Sequence, residues 1–199
     1  MSESPKLKSA FEEADFSVND ALYDFYSSRS YNGGTGRINE TPWTNEIKNL
    51  SVDGYGVYVL SRKGSEGCDL YMTGSDGENG NLTALSQAEK DHLANLVAMK
   101  KSGKLSKIIL VLNTVSAGVQ FDGIFAYKND IDACIWVGLG GTSGPQSVVD
   151  LLSGKETPSG KLSDTFVFNS FSAPSTENSG NYDYAGSGNY SNNAIYKKL

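Results

Sequence analysis

Histidine and cysteine are scarce in this chain, and their scarcity removes whole classes of chemistry. His92 is the single histidine among 199 residues, so neither a histidine-based triad nor a multi-histidine metal site can be assembled from this chain. Its place in a polar helical pattern predicts a helix-surface side chain. Cys68 and Cys134 are the only cysteines, too few for a disulfide framework or a zinc site. They are compatible with a reduced compartment, and the cytoplasm is the expected location. No apolar run approaches the roughly 20 residues of a membrane span. The opening Met1-Ser2-Glu3-Ser4-Pro5 has neither the basic nor the apolar region of a signal peptide. Basic residues are outnumbered and scattered: the net charge is -6 and the pI about 4.8. Without a basic stripe, neither nucleic acid nor an acidic membrane is an expected partner.

What is present suits one folded core. A hydrophobic content of 38% in 199 residues supports a single domain rather than two. Ser4 and Pro5 suit a helix start, and Leu7, Ala10, Phe11 and Ala14 follow at the spacing of one buried helical face. Asn19 suits the cap of a second, shorter helix carrying Leu22, Phe25 and Tyr26, and residues 30–50 read as loop. Residues 55–60 read as a buried strand. Ser86 and Glu89 form the S-x-x-E capping box of a helix running to about Lys101. Residues 107–112 and 133–137 are continuous apolar runs, the pattern of strands covered on both faces of a parallel sheet. A glycine-rich turn at 138–144 leads into a helix with Val148, Val149, Leu151 and Leu152, stopped by Gly154. A short strand at 165–168 is expected last.

This alternation predicts an α/β fold: a three-layer sandwich with a mostly parallel sheet, helices on both faces and room for one antiparallel strand. Residues 1–169 form the expected domain. Residues 170–199, rich in Ser, Asn, Gly and Tyr, have too little apolar content for a core and are expected to be loop or disordered.

The segment with the most chemical promise is Ser61-Arg62-Lys63-Gly64-Ser65-Glu66-Gly67-Cys68-Asp69. It follows the strand at 55–60 and sets one glutamate on a turn between two glycines, where a carboxyl can approach a ligand without bulk beside it. Parallel sheets bind ligands beyond the carboxyl ends of their strands, and Glu66 is expected on that edge. A solvated loop charge is the bland alternative. Other motifs are weaker. Gly138-x-Gly140-x-x-x-Gly144 has a dinucleotide-like look, yet its last spacing is one residue too long and no acidic strand end follows, so close packing of helix against strand is the better reading. Asp76-Gly77-Glu78-Asn79-Gly80-Asn81 opens like a calcium loop but loses a ligand at Gly80 and the closing glutamate at Gln87, which leaves a solvated turn. Trp43 suits either a sugar-stacking platform or a loop aromatic over the core, and Trp136 reads as core.

Five stretches together carry a family resemblance. Val59 to Asp69 resembles the V-x-S-R-x-x-G-E-G-x-D segment of glycoside hydrolase family 3, the β-glucosidase family, in its α/β-sandwich domain. Phe11-Glu12-Glu13-Ala14-Asp15-Phe16-Ser17-Val18-Asn19 resembles L-E-E-A-G-F-x-V-N, and Ile109-Leu110-Val111-Leu112-Asn113-Thr114 resembles V-V-L-N-T. Ala133-Cys134-Ile135-Trp136-Val137-Gly138, with Gly141 and Gly144, resembles A-I-L-W-x-G-x-x-G-x-x-G. Pro158-Ser159-Gly160-Lys161-Leu162 with Thr165-Phe166 is similar to N-P-S-G-K-L-P-x-T-F, with Thr157 and Ser163 in place of Asn and Pro. The order and spacing of the motifs, over roughly residues 10 to 170, carry more weight than any one of them.

The resemblance implies a retaining β-glycosidase acting on terminal β-linked sugars of oligosaccharides or glycosides, with no metal or other cofactor. In such enzymes an aspartate of a separate (β/α)8 barrel is the nucleophile, and a glutamate of the glycine loop is the general acid/base. Glu66 occupies that position, and Arg62 and Asp69 are candidate substrate-binding residues, with solvated ion pairing the plainer reading of each. The two carboxyls must flank the sugar at about 5 to 5.5 Å, the acid protonated before bond breaking. No barrel and no first strand of the sandwich are found in the sequence, so the chain reads as a fragment, inactive alone and completed by a barrel. A catalytically inert sugar-binding or structural accessory α/β domain is the alternative. The sugar specificity is not legible, because its contacts are expected from the barrel.

Overall fold

The computed structural model describes residues 7–28, 36–37, 40–63, 83–114, 122–138, 140–162 and 165–166. Its core is a sheet in the order β1-β2-β3-β4. β2 (Gly54–Lys63), β3 (Leu105–Thr114) and β4 (Ala133–Val137) run parallel, and the two-residue β1 (Gly36–Arg37) pairs antiparallel with the end of β2. The expected sandwich, mostly parallel and with one short antiparallel strand, is therefore observed.

Alternation along β2 divides its side chains between two layers, as a period of two requires. Tyr58, Leu60 and Arg62 are buried on one face, in register with Leu110, Leu112 and Thr114 of β3. Helix α4 (Gln87–Lys101) covers this face with Leu93 and Leu96, helped by Trp43 and by Ile47 of the short helix α3 (Asn45–Lys48). Leu22 and Phe25 of α2 (Asp20–Ser27) pack at the margin of the same core. On the opposite face Val57, Val59 and Val111 meet α1 (Leu7–Glu13) and α5 (Gly144–Leu152), which also contact each other.

The caps set the helix positions. Ser86 Oγ accepts from Glu89 N at 3.2 Å while Glu89 Oε2 accepts from Ser86 N at 2.8 Å, the reciprocal capping box. Asn19 Oδ1 accepts from Leu22 N at 3.0 Å to start α2. At the last turn of α5, Gly154 adopts φ +77°, a conformation that glycine reaches without strain.

Several boundaries differ from those expected from sequence. The loop assigned to residues 30–50 contains β1 and α3, both too short for periodicity to register. Strands β2 and β3 each extend to 10 residues, past their apolar runs. Thr165 and Phe166 are not in a strand. The remainder of that expected strand, the helix start at Ser4 and Pro5, and the 170–199 tail lie outside the described residues.

Candidate functional site at the carboxyl edge of the sheet

Parallel register aligns the carboxyl ends of three strands on one edge: Arg62 of β2 lies opposite Thr114 of β3, and Asn113 opposite Val137 of β4. Such an edge is where open α/β sheets bind ligands. Residues 64–82 depart from it after Lys63, so Glu66, Cys68, Asp69 and the calcium-like stretch at 76–81 lie outside the described residues. What is described is the strand end that precedes that segment.

Arg62 is the centre of that strand end. Its guanidinium makes a two-pronged contact with Glu89 of α4, Nη1 to Oε1 at 2.6 Å and Nη2 to Oε2 at 2.9 Å. It also donates to the backbone carbonyls of Ser61 (2.9 Å) and Ala84 (3.2 Å). Both side chains of the pair are sealed from solvent, at 0% and 1% exposure. The ion pair expected for Arg62 is thus present but buried, not solvated. The guanidinium fork matches a carboxylate geometrically, which makes arginine the suitable cation for a closed site. Glu89 serves two elements at once, capping α4 and clamping β2. Because Ala84 follows the 64–82 segment and Arg62 precedes it, the clamp ties together the two ends from which that segment departs. Thr114 is fully buried beside Arg62, and its Oγ1 accepts from Trp136 Nε1 at 2.8 Å.

A second polar cluster lies behind this one. His92 is buried at 1% exposure, contrary to the expected surface position. Its Nε2 lies 2.9 Å from the Thr41 carbonyl oxygen, and its Nδ1 lies 3.4 Å from the Tyr26 hydroxyl and 3.5 Å from Glu40 Oε2. Trp43 and Tyr58 flank the ring, with centroids at 5.1 and 5.7 Å. Trp43 is core, donating Nε1 to the Tyr26 hydroxyl at 2.7 Å. Glu40 Oε1 accepts from the Tyr58 hydroxyl at 3.0 Å. Burial raises the Glu40 carboxyl to about 7, against the opposing pull of the Tyr58 hydrogen bond, and burial lowers His92. Pattern reading missed both because His92 and Glu40 each count as polar until their partners are seen.

On the other face an open, largely apolar cavity of about 330 Å³ runs between Phe11, Val59, Val111, Val137 and Pro145, with Asn113 a polar member of its wall. The glycine turn borders it. A Cβ placed on Gly140 would stand 2.9 Å from the Gly144 Cα, backbone that a side chain cannot displace cheaply. This close approach, not a phosphate cradle, accounts for that glycine. Gly140→Ala is expected to lower unfolding stability by about 1–3 kcal/mol, as overpacking does. Urea unfolding measures the effect, and an unchanged midpoint would contradict the close-packing role. Among the described residues, no group of three or more His, Cys, Asp or Glu is placed to hold a metal ion. Cys134 is an exposed free thiol. No described helix is long and apolar enough to cross a membrane.

Comparison with known proteins agrees with this architecture. Residues 19–198 match the family model described as "Glycosyl hydrolase family 3 C-terminal domain". A plant protein, "Probable beta-D-xylosidase 6" of Arabidopsis thaliana, is 30% identical over 145 residues, covering 67% of this chain and 17% of that protein. The chain thus spans only a small part of its relative's length. With the match extending over nearly the whole chain, this protein belongs to the glycosyl hydrolase family 3 C-terminal domain family.

Proposed function

We propose that this domain, residues 1–169, supplies the general acid/base of a retaining β-glycosidase and that Glu66 is that residue. The observation that carries the proposal is the strand-to-turn register: β2 is a buried parallel strand whose carboxyl end leads within three residues of Lys63 to Glu66. Family membership supports the same reading.

In the proposed reaction, protonated Glu66 donates to the departing glycosidic oxygen while an aspartate of a (β/α)8 barrel attacks the anomeric carbon. The Glu66 carboxylate then takes a proton from the water that releases the sugar. Asp69, three residues on, is assigned to sugar hydroxyls. Arg62 is assigned an indirect part in substrate binding: its guanidinium is engaged by Glu89 and two carbonyls, so it acts on the sugar through the chain it anchors. The substrate class is a terminal β-linked pyranoside. The name of the plant relative adds β-xylosides to the β-glucosides that the motifs suggest.

Since the nucleophile is assigned to the barrel, the 199-residue chain alone is expected to show no turnover of aryl β-glucosides or aryl β-xylosides. Wild-type turnover that disappears in Glu66→Ala would overturn the division of the two carboxyls between domains.

A further inference from the structure

The tautomer of His92 follows from its neighbours. Nε2 lies 2.9 Å from the Thr41 carbonyl oxygen, which can only accept, so Nε2 carries a hydrogen. In the neutral ring Nδ1 is then a lone pair. Two oxygens face it, the Tyr26 hydroxyl at 3.4 Å and Glu40 Oε2 at 3.5 Å. The Tyr26 oxygen accepts from Trp43 Nε1, and its own hydrogen competes with a Glu40 proton for the single Nδ1 lone pair. The Glu40 carboxyl receives the Tyr58 hydroxyl on Oε1, and its Oε2 lies toward the ring. An ionised Glu40 would set a carboxylate lone pair against the lone pair of a buried imidazole.

We infer that Glu40 and His92 hold a single proton between them, carried on the Glu40 carboxyl on the side that faces Nδ1, and that this neutral pair fastens residues 40–44 over α4 and β2. The contact is long for a hydrogen bond at 3.5 Å, and burial, which disfavours both the carboxylate and the imidazolium, leaves the proton on Glu40. The groups that face the pair come from four elements. β2 presents Tyr58 and Arg62, α4 presents Glu89 and Asp91, α3 presents Lys48, and α2 presents Tyr26. Burial is the largest influence on both members, raising Glu40 and lowering His92. Glu89 acts with burial on Glu40, while Arg62 and the Tyr58 hydrogen bond act against it. The Thr41 carbonyl, Asp91 and Glu89 pull His92 upward, and Lys48 adds to its lowering. The pair meets β2 at Tyr58, four residues before the Arg62 that pairs with Arg37. The inference does not depend on Glu66 being an acid.

Linkage gives the pair a distinctive signature. In the unfolded chain Glu40 titrates near 4.5 and His92 near 6.5; in the folded chain Glu40 keeps its proton to about 7 and His92 is neutral. Between these two unfolded values both states hold one proton on the two groups for as long as folded His92 stays neutral, and over that range the pair adds no slope to stability. Between 6.5 and 7 the folded chain alone holds it, and stability falls slightly as pH rises. In Glu40→Gln the amide can donate to Nδ1 and accept from Tyr58, but it has no proton to lose. Folded His92 then remains neutral while unfolded His92 charges below 6.5, so stability is lost as pH falls. Relative to the wild type, the folding equilibrium constant of E40Q is expected to drop as pH falls below about 6.5, by at most about tenfold per pH unit.

Two measurements on the full 199-residue chain test this. Because His92 is the sole histidine, nitrogen-15 NMR of its ring is unambiguous. The expected spectrum shows a neutral, Nε2-protonated ring at neutral pH that charges only below the ordinary histidine range, with one step near pH 7 as Glu40 ionises, and that step is absent in E40Q. Denaturant unfolding at a series of pH values gives the slope difference. An ordinary imidazolium titration near pH 6.5 in the folded wild type, or identical pH slopes for the two proteins, would overturn the neutral pair. The wild-type spectrum decides the matter alone if E40Q does not fold.

Discussion

In a polypeptide that joins this domain to its proposed barrel, Glu66→Ala is expected to lower kcat/KM on an unactivated β-glycoside by about 10²–10⁴-fold, the usual contribution of a positioned acid/base. The effect depends on the leaving group. A sugar oxygen or alkoxide departs slowly without a proton, so both steps suffer. A dinitrophenolate needs little protonation, so the glycosyl-enzyme still forms and hydrolysis stalls for want of a base. Activated substrates should therefore show a burst followed by slow turnover, with KM falling as the intermediate accumulates. A merely structural role for Glu66 would depress both substrates alike, and an inert accessory domain would leave both unchanged.

The second large effect concerns the clamp between Arg62 and Glu89. Glu89→Ala is expected to lower unfolding stability by about 3–5 kcal/mol, because it leaves the Arg62 charge buried without its carboxylate. It also removes the acceptor for the Ser86 amide in the capping box. That loss is a large share of the about 5–15 kcal/mol that typically holds a domain together. Removing both charges, as in Arg62→Met with Glu89→Leu, should recover much of it, since the desolvation cost of the pair disappears with the pair. Urea unfolding of the two single variants and the double variant closes the cycle and yields the coupling. A cost below about 1 kcal/mol for Glu89→Ala would indicate a pair no more important than a solvated one.

The parts legible in the sequence are those fixed by local chemistry. The Ser86-x-x-Glu89 box places α4 correctly because its two hydrogen bonds join residues three apart. β4 is recovered at residues 133–137 because its apolar run has no polar interruption, although as the edge strand it is exposed at Ala133 and Cys134 rather than covered on both faces as expected. The parts that were not legible depend on distant partners. Arg62 looks like a solvated cation until Glu89, 27 residues away, closes on it. His92 looks like a helix-surface residue until Thr41 and Tyr26, 51 and 66 residues away, supply its hydrogen bonds. α3 and β1 are too short to carry a periodic signal, and β1 exists only through its pairing with Arg62 and Lys63. Glu66 is proposed from its place between two glycines after a strand, and it lies outside the described residues.

The most direct test of the central claim is azide rescue of Glu66→Ala in the barrel-joined protein, using a dinitrophenyl β-glucoside and β-xyloside. Azide needs no general base, so it should accelerate turnover of the variant, leave the wild type nearly unaffected and yield the β-configured glycosyl azide by attack on an α-linked intermediate. Absence of azide acceleration, or an α-configured product, would contradict the assignment of Glu66 as the acid/base of a retaining glycosidase.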